Sequence, residues 1–336
     1  MVEQDSTKTS KTPWLGLQIF CFIACIPSLG ALLAKLYGIA SMQTITLGVA
    51  LPGCIGLFFI WLWAHKSNHK ELATTLAIGF ASGMLATIAY DLIRVPFHLA
   101  GLRIFVPIST FGIWVADSNS SSRFTEVIGW VYHYSNGVTI AIMYVLFMRN
   151  RHWAWAILWA CSLETLAIFC PFGRIFSLSG NYPAIGIAYL GHIAYGLPLG
   201  WLVYKWDITQ NYLARISPLI KGLFILIAIV AMIGPLLAPE AVEKDSRAID
   251  KTFRVEGLHL NPDFLRINQN GQIQVLNSEA SQVSVILKDN MDSKTIEAGK
   301  SEVFSFPKPG IYQIYVKTQQ RSRSSFIIVE PVERTP

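Results

Sequence analysis

Charge is scarce in this chain, and cysteine stops halfway along it. Only 14% of the 336 residues are charged, against about 25% in a soluble domain. That shortage excludes an ordinary globular protein over the whole length. It is also uneven. The apolar excess ends near Pro239, and Glu240–Pro336 reads as soluble protein. All five cysteines (Cys21, Cys25, Cys54, Cys161 and Cys170) fall in apolar segments. The polar C-terminal part therefore has no disulfide of its own. No CxxC occurs, which removes the common redox and zinc-knuckle spacings, and HExxH is absent too. The net charge of +6 does not point to nucleic acid. No nucleic-acid motif is present, and much of the basic charge lies in short stretches beside apolar runs.

What is present is a series of apolar runs. A spanning helix needs about 20 apolar residues. Seven segments qualify: 14–37, 42–64, 72–95, 124–148, 153–171, 184–204 and 219–238. The first, preceded by Lys8 and Lys11, is either a retained span or a cleaved signal segment. Lys8, Lys11, Lys66, Lys70, Arg149, Arg151, Lys205, Arg215 and Lys221 all fall on one side if the N-terminus is cytoplasmic. The opposite loops hold Arg103, Arg123 and Arg174. The positive-inside rule then places the N-terminus in the cytoplasm and the C-terminus outside it. Trp153, Trp155, Trp159, Trp201 and Trp206 suit interfacial depths. Gly79–Gly83 and Gly196–Gly200 are small-xxx-small faces for close helix packing.

Polar side chains recur at one depth. "YHYSN" (132–136) sits inside the fourth run, and polar groups at membrane depth are costly. Counted from the outer ends of their segments, His133, Glu164 and His192 lie about 10–13 Å inside at the helical rise. Asp91 and Arg94 lie somewhat above them, and His98 lies at the surface. His133 with Asn136, and His192 with Tyr195, share helix faces. This layer of Asp91, Arg94, His98, His133, Asn136, Glu164, His192 and Tyr195 has several readings. It serves as interhelical polar glue, with Asp91 and Arg94 neutralising each other. Or His133, Glu164 and His192 ligate zinc or non-haem iron. Or the two histidines hold a b-type haem. Or the layer is a path for protons or a small solute. The outer loop 96–123 is apolar with Pro and Gly breaks, and reads as a re-entrant or interface-lying segment. Ser118–Ser122 reads as its flexible polar tip.

Three stretches, "GFASGMLATIAYDLIRVP", "YHYSNGVTIAIMY" and "GHIAYGLPLG", resemble a four-helix module of YagU-type uncharacterised bacterial inner-membrane proteins, over about 130 residues. That resemblance implies no chemistry.

Residues 251–332 alternate polar and apolar. "FLRINQNGQIQVLN", "QVSVILKD", "IEAGKSEVFSFPKPGIYQIYVK" and "SSFIIVE" read as antiparallel strands of a small sandwich. The same stretches resemble cupredoxins, the plastocyanin-like fold, over nearly the whole domain. The resemblance implies copper ligands, but the residues depart from that pattern. Gln282 stands near the first histidine's place. After Val316 the chain reads Thr318-Gln319-Gln320-Arg321, with no Cys, His or Met. His259 and Met291 lie outside the pattern. Blue copper needs a thiolate and two imidazoles, so a copper-free domain is expected, with no type 1 copper. Lys317, Arg321 and Arg323 in that loop would meet solvent, acidic lipid heads or a partner.

The expected architecture is an α-helical polytopic membrane bundle of about seven spans followed by an all-β, cupredoxin-like sandwich. Its parts are a cytoplasmic tail (1–13), a bundle (14–239), a linker (240–250) and an extracytoplasmic sandwich (251–332). The expected role is a non-enzymatic integral membrane protein of a bacterial inner membrane. Its partners are the lipid bilayer and an extracytoplasmic protein docked on the sandwich, with no nucleic acid. The rivals are an intramembrane metal or haem protein, redox or hydrolytic, and a transporter. No internal inverted repeat favours the last.

Overall fold

A computed structural model describes residues 12–330 except 68, 101, 103, 177, 179, 218, 221, 223–225, 227–251, 258, 263, 288–291 and 318–321. The expected tail, most of the seventh run, the linker and Met291 lie outside the described residues.

Apolar sequence becomes helix in the first two-thirds. The helices are α1 (Thr12–Leu36), α2 (Met42–Ile45), α3 (Leu51–Lys66), α4 (Lys70–Leu99), α5 (Val106–Ala116), α6 (Arg123–Val145), α7 (Ala154–Phe169), α8 (Pro171–Ile175), α9 (Tyr182–Tyr204) and α10 (Trp206–Arg215). A π-helical turn, Thr46–Ala50, joins α2 to α3. It sits just before Pro52, which lacks the N–H that an α-helical ladder needs. Among the described residues, four helices are long and apolar enough to cross a membrane: Leu15–Leu36, Met42–Lys66, Lys70–Leu99 and Tyr182–Tyr204. Helix α6 has 23 residues but is not among them, because Tyr132–Asn136 dilutes its apolar character. Helix α7 has 16 residues, short of a full crossing. Helices α5, α8 and α10 fall where loops were expected.

The chain divides into two compact units, with boundaries inside α4, α6, α7 and α9. In the unit of residues 1–93, 134–160 and 191–218, glycines set the helix contacts. A Cβ on Gly83 would stand 2.8 Å from the Val138 Cα, and one on Gly196 would stand 2.6 Å from the Ile157 Cα. The expected small-residue faces therefore pack α4 on α6 and α9 on α7. At one end of this unit Arg149 pairs with Glu71 at 2.6 Å and lies over the buried Trp206 ring, 4.8 Å from its centroid.

The other unit (94–133, 161–190 and 219–336) contains the sandwich. Its strands are β1 (Thr252–Glu256), β2 (His259–Asn261), β3 (Phe264–Asn268), β4 (Gly271–Asn277), β5 (Val283–Leu287), β6 (Asp292–Ile296), β7 (Ser301–Phe306), β8 (Gly310–Lys317) and β9 (Ser322–Glu330). They form a four-stranded sheet, β2-β1-β4-β7, and a five-stranded sheet, β3-β9-β8-β5-β6. Alternate residues of each strand face inward. Phe253, Val255, Ile273, Val275, Phe304 and Phe306 of the first sheet pack with Val285, Leu287, Ile314, Val316 and Ile327 of the second. The sheets are not purely antiparallel, as alternation alone suggested. β1 pairs with β4, and β3 with β9, in parallel. Between the members of each pair the chain visits the other sheet, through β3 in the first case and through β4 and β7 in the second, so each pair is reached by a crossover rather than a hairpin.

Candidate functional site

Within the second unit, the 117–121 loop is joined to the sandwich through an isolated β-bridge. β3 is an edge strand, and its unpaired N–H and C=O groups are a template for another segment. Ser120 forms an antiparallel bridge with Leu265. The Arg266 N–H donates to the Asn119 carbonyl at 2.7 Å. The Ser121 N–H donates to the Phe264 carbonyl at 3.2 Å, and the Phe264 N–H donates to the Ser121 hydroxyl at 3.1 Å. The segment expected to be a flexible tip is thus fixed at its centre.

Arg266 clamps the junction. Its guanidinium donates to Asp117 at 2.8 Å and to Glu330 at 2.6 Å. Its side chain is 17% exposed, and those of Glu330 and Asp117 are 13% and 56% exposed. Burial disfavours the guanidinium's charge, but the hydrogen bonds and charges of Glu330 and Asp117 outweigh it and move its pKa up. Asp117 caps α5 with a left-handed backbone, φ 51°, a conformation that Asp tolerates better than most residues. Its side chain is thereby turned out beside the strand.

The loop stands on a close helix pair. A Cβ at Gly112 would run into the Thr125 carbonyl, and one at Gly129 into the Ile108 carbonyl. Helices α5 and α6 therefore touch backbone to backbone. Beside them lies a cavity of about 230 Å³, lined among others by His98, Phe105, Ser109, Glu126, Trp130 and Phe264. The Ser109 hydroxyl donates to Glu126 at 2.9 Å. The Phe105 and Trp130 rings lie 5.6 Å apart.

The polar residues singled out by depth divide between the two units. In the first unit, Asp91 is hydrogen-bonded to Tyr134. The Ser28 hydroxyl donates to Asn136 Oδ1 at 2.5 Å, the Tyr195 hydroxyl donates to the Gly137 carbonyl, and His192 meets the Tyr90 ring edge-on at 5.1 Å. In the second unit, Arg94 donates to the Ile104 carbonyl, lies over Phe105, and acts electrostatically on buried Glu164. His133 meets Trp130 at 5.8 Å, and exposed His98 meets Phe105 at 5.4 Å. Among the described residues, no three His, Cys, Asp or Glu side chains gather as a set able to hold a metal ion, His133, Glu164 and His192 included.

Sequence reasoning missed the junction residues Asp117, Asn119, Ser121, Phe264, Arg266 and Glu330, and the cavity walls Phe105, Ser109, Glu126 and Trp130. One signal was available. In "FLRIN", Arg266 interrupts three apolar positions of a strand, Phe264, Leu265 and Ile267, and a partly buried guanidinium requires carboxylates.

No protein-family model matches this chain, and no curated protein matches it. Solved structures do match its C-terminal part. A methionine-to-alanine mutant of amicyanin in its Cu(I) state is 12% identical, with 24% of this chain and 80% of that one covered and a TM-score of 0.22. The reduced Cu(I) form at pH 4 of a proline-to-glycine mutant of amicyanin is 12% identical, with 27% and 88% covered at the same score. A Cu-containing nitrite reductase (NirK) from Thermus scotoductus SA-01 is 19% identical, with 29% of this chain and 26% of that one covered, again at 0.22.

Proposed function

We propose that this is an integral membrane protein that holds a copper-free β-sandwich as a fixed docking platform on the outer side of a bacterial inner membrane. One observation carries the reading: the 117–121 loop bridged to β3, clamped by Arg266 between Asp117 and Glu330. A domain attached by its linker alone samples many orientations. One bridged to a membrane loop keeps a single orientation and presents its remaining surface to a partner. Four helices of spanning length and the basic residues on one side of the apolar runs support the membrane part. In this reading the N-terminus is cytoplasmic, seven segments cross, and the division remains tail 1–13, bundle 14–239, linker 240–250 and sandwich 251–332. The function is positional rather than catalytic.

A protease site inserted between 240 and 250 tests it in the full-length protein in membranes. After cleavage the sandwich should sediment with the membranes, and it should leave them when Arg266→Ala is added. Release of the unmutated sandwich into the supernatant would refute the platform.

A further inference from the structure

We infer that α10 lies flat in the membrane interface and recruits acidic phospholipid. This rests on the membrane part of the proposed reading and is independent of the platform. Position along the chain sets the depth. Helix α9, of spanning length, ends at Tyr204, and the apolar run 219–238 begins four residues after Arg215. The ten residues of α10 are therefore tied to the membrane surface at both ends.

Successive residues turn by about 100°, which gives α10 three faces. Trp206 and Thr209 are buried, and Leu213 packs against the same core as Trp206. The Thr209 hydroxyl donates to the Leu202 carbonyl at 2.8 Å, which fixes α10 against α9. A second face carries Ile208 and Tyr212, one turn apart and each 67% exposed. A third carries the exposed Asp207, Gln210 and Asn211. A surface helix of a soluble protein needs only a core face and a water face. An added apolar face beside a polar one suits a helix in the interface, with its apolar side chains at the acyl boundary. The end of α9 continues that boundary, because Trp201 and Tyr204 are exposed there, as in an aromatic belt.

Charge selects the lipid. Arg149 draws three segments together at this end of the unit: it pairs with Glu71, stands 4.0 Å from Asp207 and lies over Trp206. Those segments, 66–71, 149–151 and 205–215, hold six lysines and arginines against two carboxylates. Both carboxylates are the ones beside Arg149, so the surplus charge is positive. A cation at this depth gains about fivefold in affinity for an anionic bilayer. Lys205 lies over the Tyr204 and Trp201 rings, 4.9 and 5.7 Å from their centroids, and its ammonium has three N–H donors to share with phosphate oxygens. Exposed Arg215 follows Tyr212 on the outward face.

The test uses the full-length protein in nanodiscs at one molecule to a disc, so that a second copy cannot cover α10. Ile208→Cys, Tyr212→Cys and Asn211→Cys are each treated with a water-soluble maleimide, and peptide mass spectrometry separates labelling of α10 from that of the native cysteines. All three positions are open on the protein itself. Lipid cover should slow labelling at 208 and 212 many-fold relative to 211. Spin-labelled phosphatidylglycerol and phosphatidylcholine then report which lipid the protein holds, through their motionally restricted fractions. Phosphatidylglycerol should be preferred, and Lys205→Gln combined with Arg215→Gln should reduce that preference several-fold. Equal labelling of the three cysteines would overturn the inference, as would a lipid preference that is absent or untouched by the double substitution. These failures leave the protein in its discs. A protein that does not enter discs at all would overturn the membrane reading together with this one.

Discussion

Ser121 and Phe264, 143 residues apart, bond to each other twice, backbone to backbone at 3.2 Å and backbone to hydroxyl at 3.1 Å. The hydroxyl takes the place a carbonyl would hold in a longer strand. Ser121→Ala removes that acceptor and leaves the Phe264 N–H, which is buried, without one. The expected cost is about 1–3 kcal/mol, measured by denaturation of the full-length protein in detergent. A neutral result would mean that water replaces the hydroxyl.

Arg266 carries a larger share. Replacing it with Ala strands Glu330, whose side chain is 13% exposed. Breaking a largely buried pair in this way costs about 3 kcal/mol. Arg266→Lys should recover only part of this, because an ammonium cannot fork between two carboxylates. The sign of the pH dependence follows from the upward shift of Arg266. Its stabilisation is fully present below the ordinary arginine range and is lost only above it. Its guanidinium therefore contributes no titration between about pH 6 and 10. Arg266→Lys brings an alkaline loss into view near the lysine range, at about pH 10.

Gly112 permits a close contact between α5 and α6. Gly112→Ala would drive a methyl into the Thr125 carbonyl. Separating α5 from α6 should cost at least about 1–3 kcal/mol, the usual range for overpacking, and should alter the cavity beside them. Reduced yield of folded protein is the readout. A fully folded variant with wild-type stability would show that the two helices can slide.

Copper gives a simple spectroscopic test. No cysteine follows Cys170, so the sandwich has no thiolate to form a blue centre. Adding Cu(II) to the full-length protein should produce no intense blue charge-transfer band. Its appearance would place a thiolate from the helices at the sandwich.

A C-terminal reporter tests orientation. Alkaline phosphatase fused after Pro336 should be active, and a green fluorescent fusion dark. The reverse pattern would invert the proposed topology.

Much of the fold was legible in the sequence because burial leaves a periodic trace. The alternation through Ile273 and Val275, and through Val283, Val285 and Leu287, marks the inward faces of β4 and β5. The long apolar runs mark α1, α3, α4 and α9. The parallel pairings left no such trace, since an inward face reads the same in either strand direction. The bridged loop was hidden for a related reason. It pairs through main-chain groups that every residue carries, so Asn119 and Ser120 look like any polar loop. The polar layer shows what counting residues leaves out. Counting residues gives height along a helix, but each step also turns about 100°. Tyr132, His133, Tyr134 and Asn136 lie within about 6 Å of one another in height, yet they reach Phe111, Trp130, Asp91 and Ser28 respectively. Azimuth, which separates these partners, depends on packing that no single helix encodes.

The pairing of Ser120 with Leu265 also bears on the order in which the molecule is made. Synthesis delivers the loop more than a hundred residues before β3, and domains generally form in that order. When β3 emerges, the loop that will cover its outer edge has already been made. The helix pair beneath can hold it in place, with the entropy of ordering that segment already spent. A loop made ahead of the domain it pairs with can act as a mould for it. It also covers one bare sheet edge at the moment when a nascent β domain is most prone to pair with a stranger.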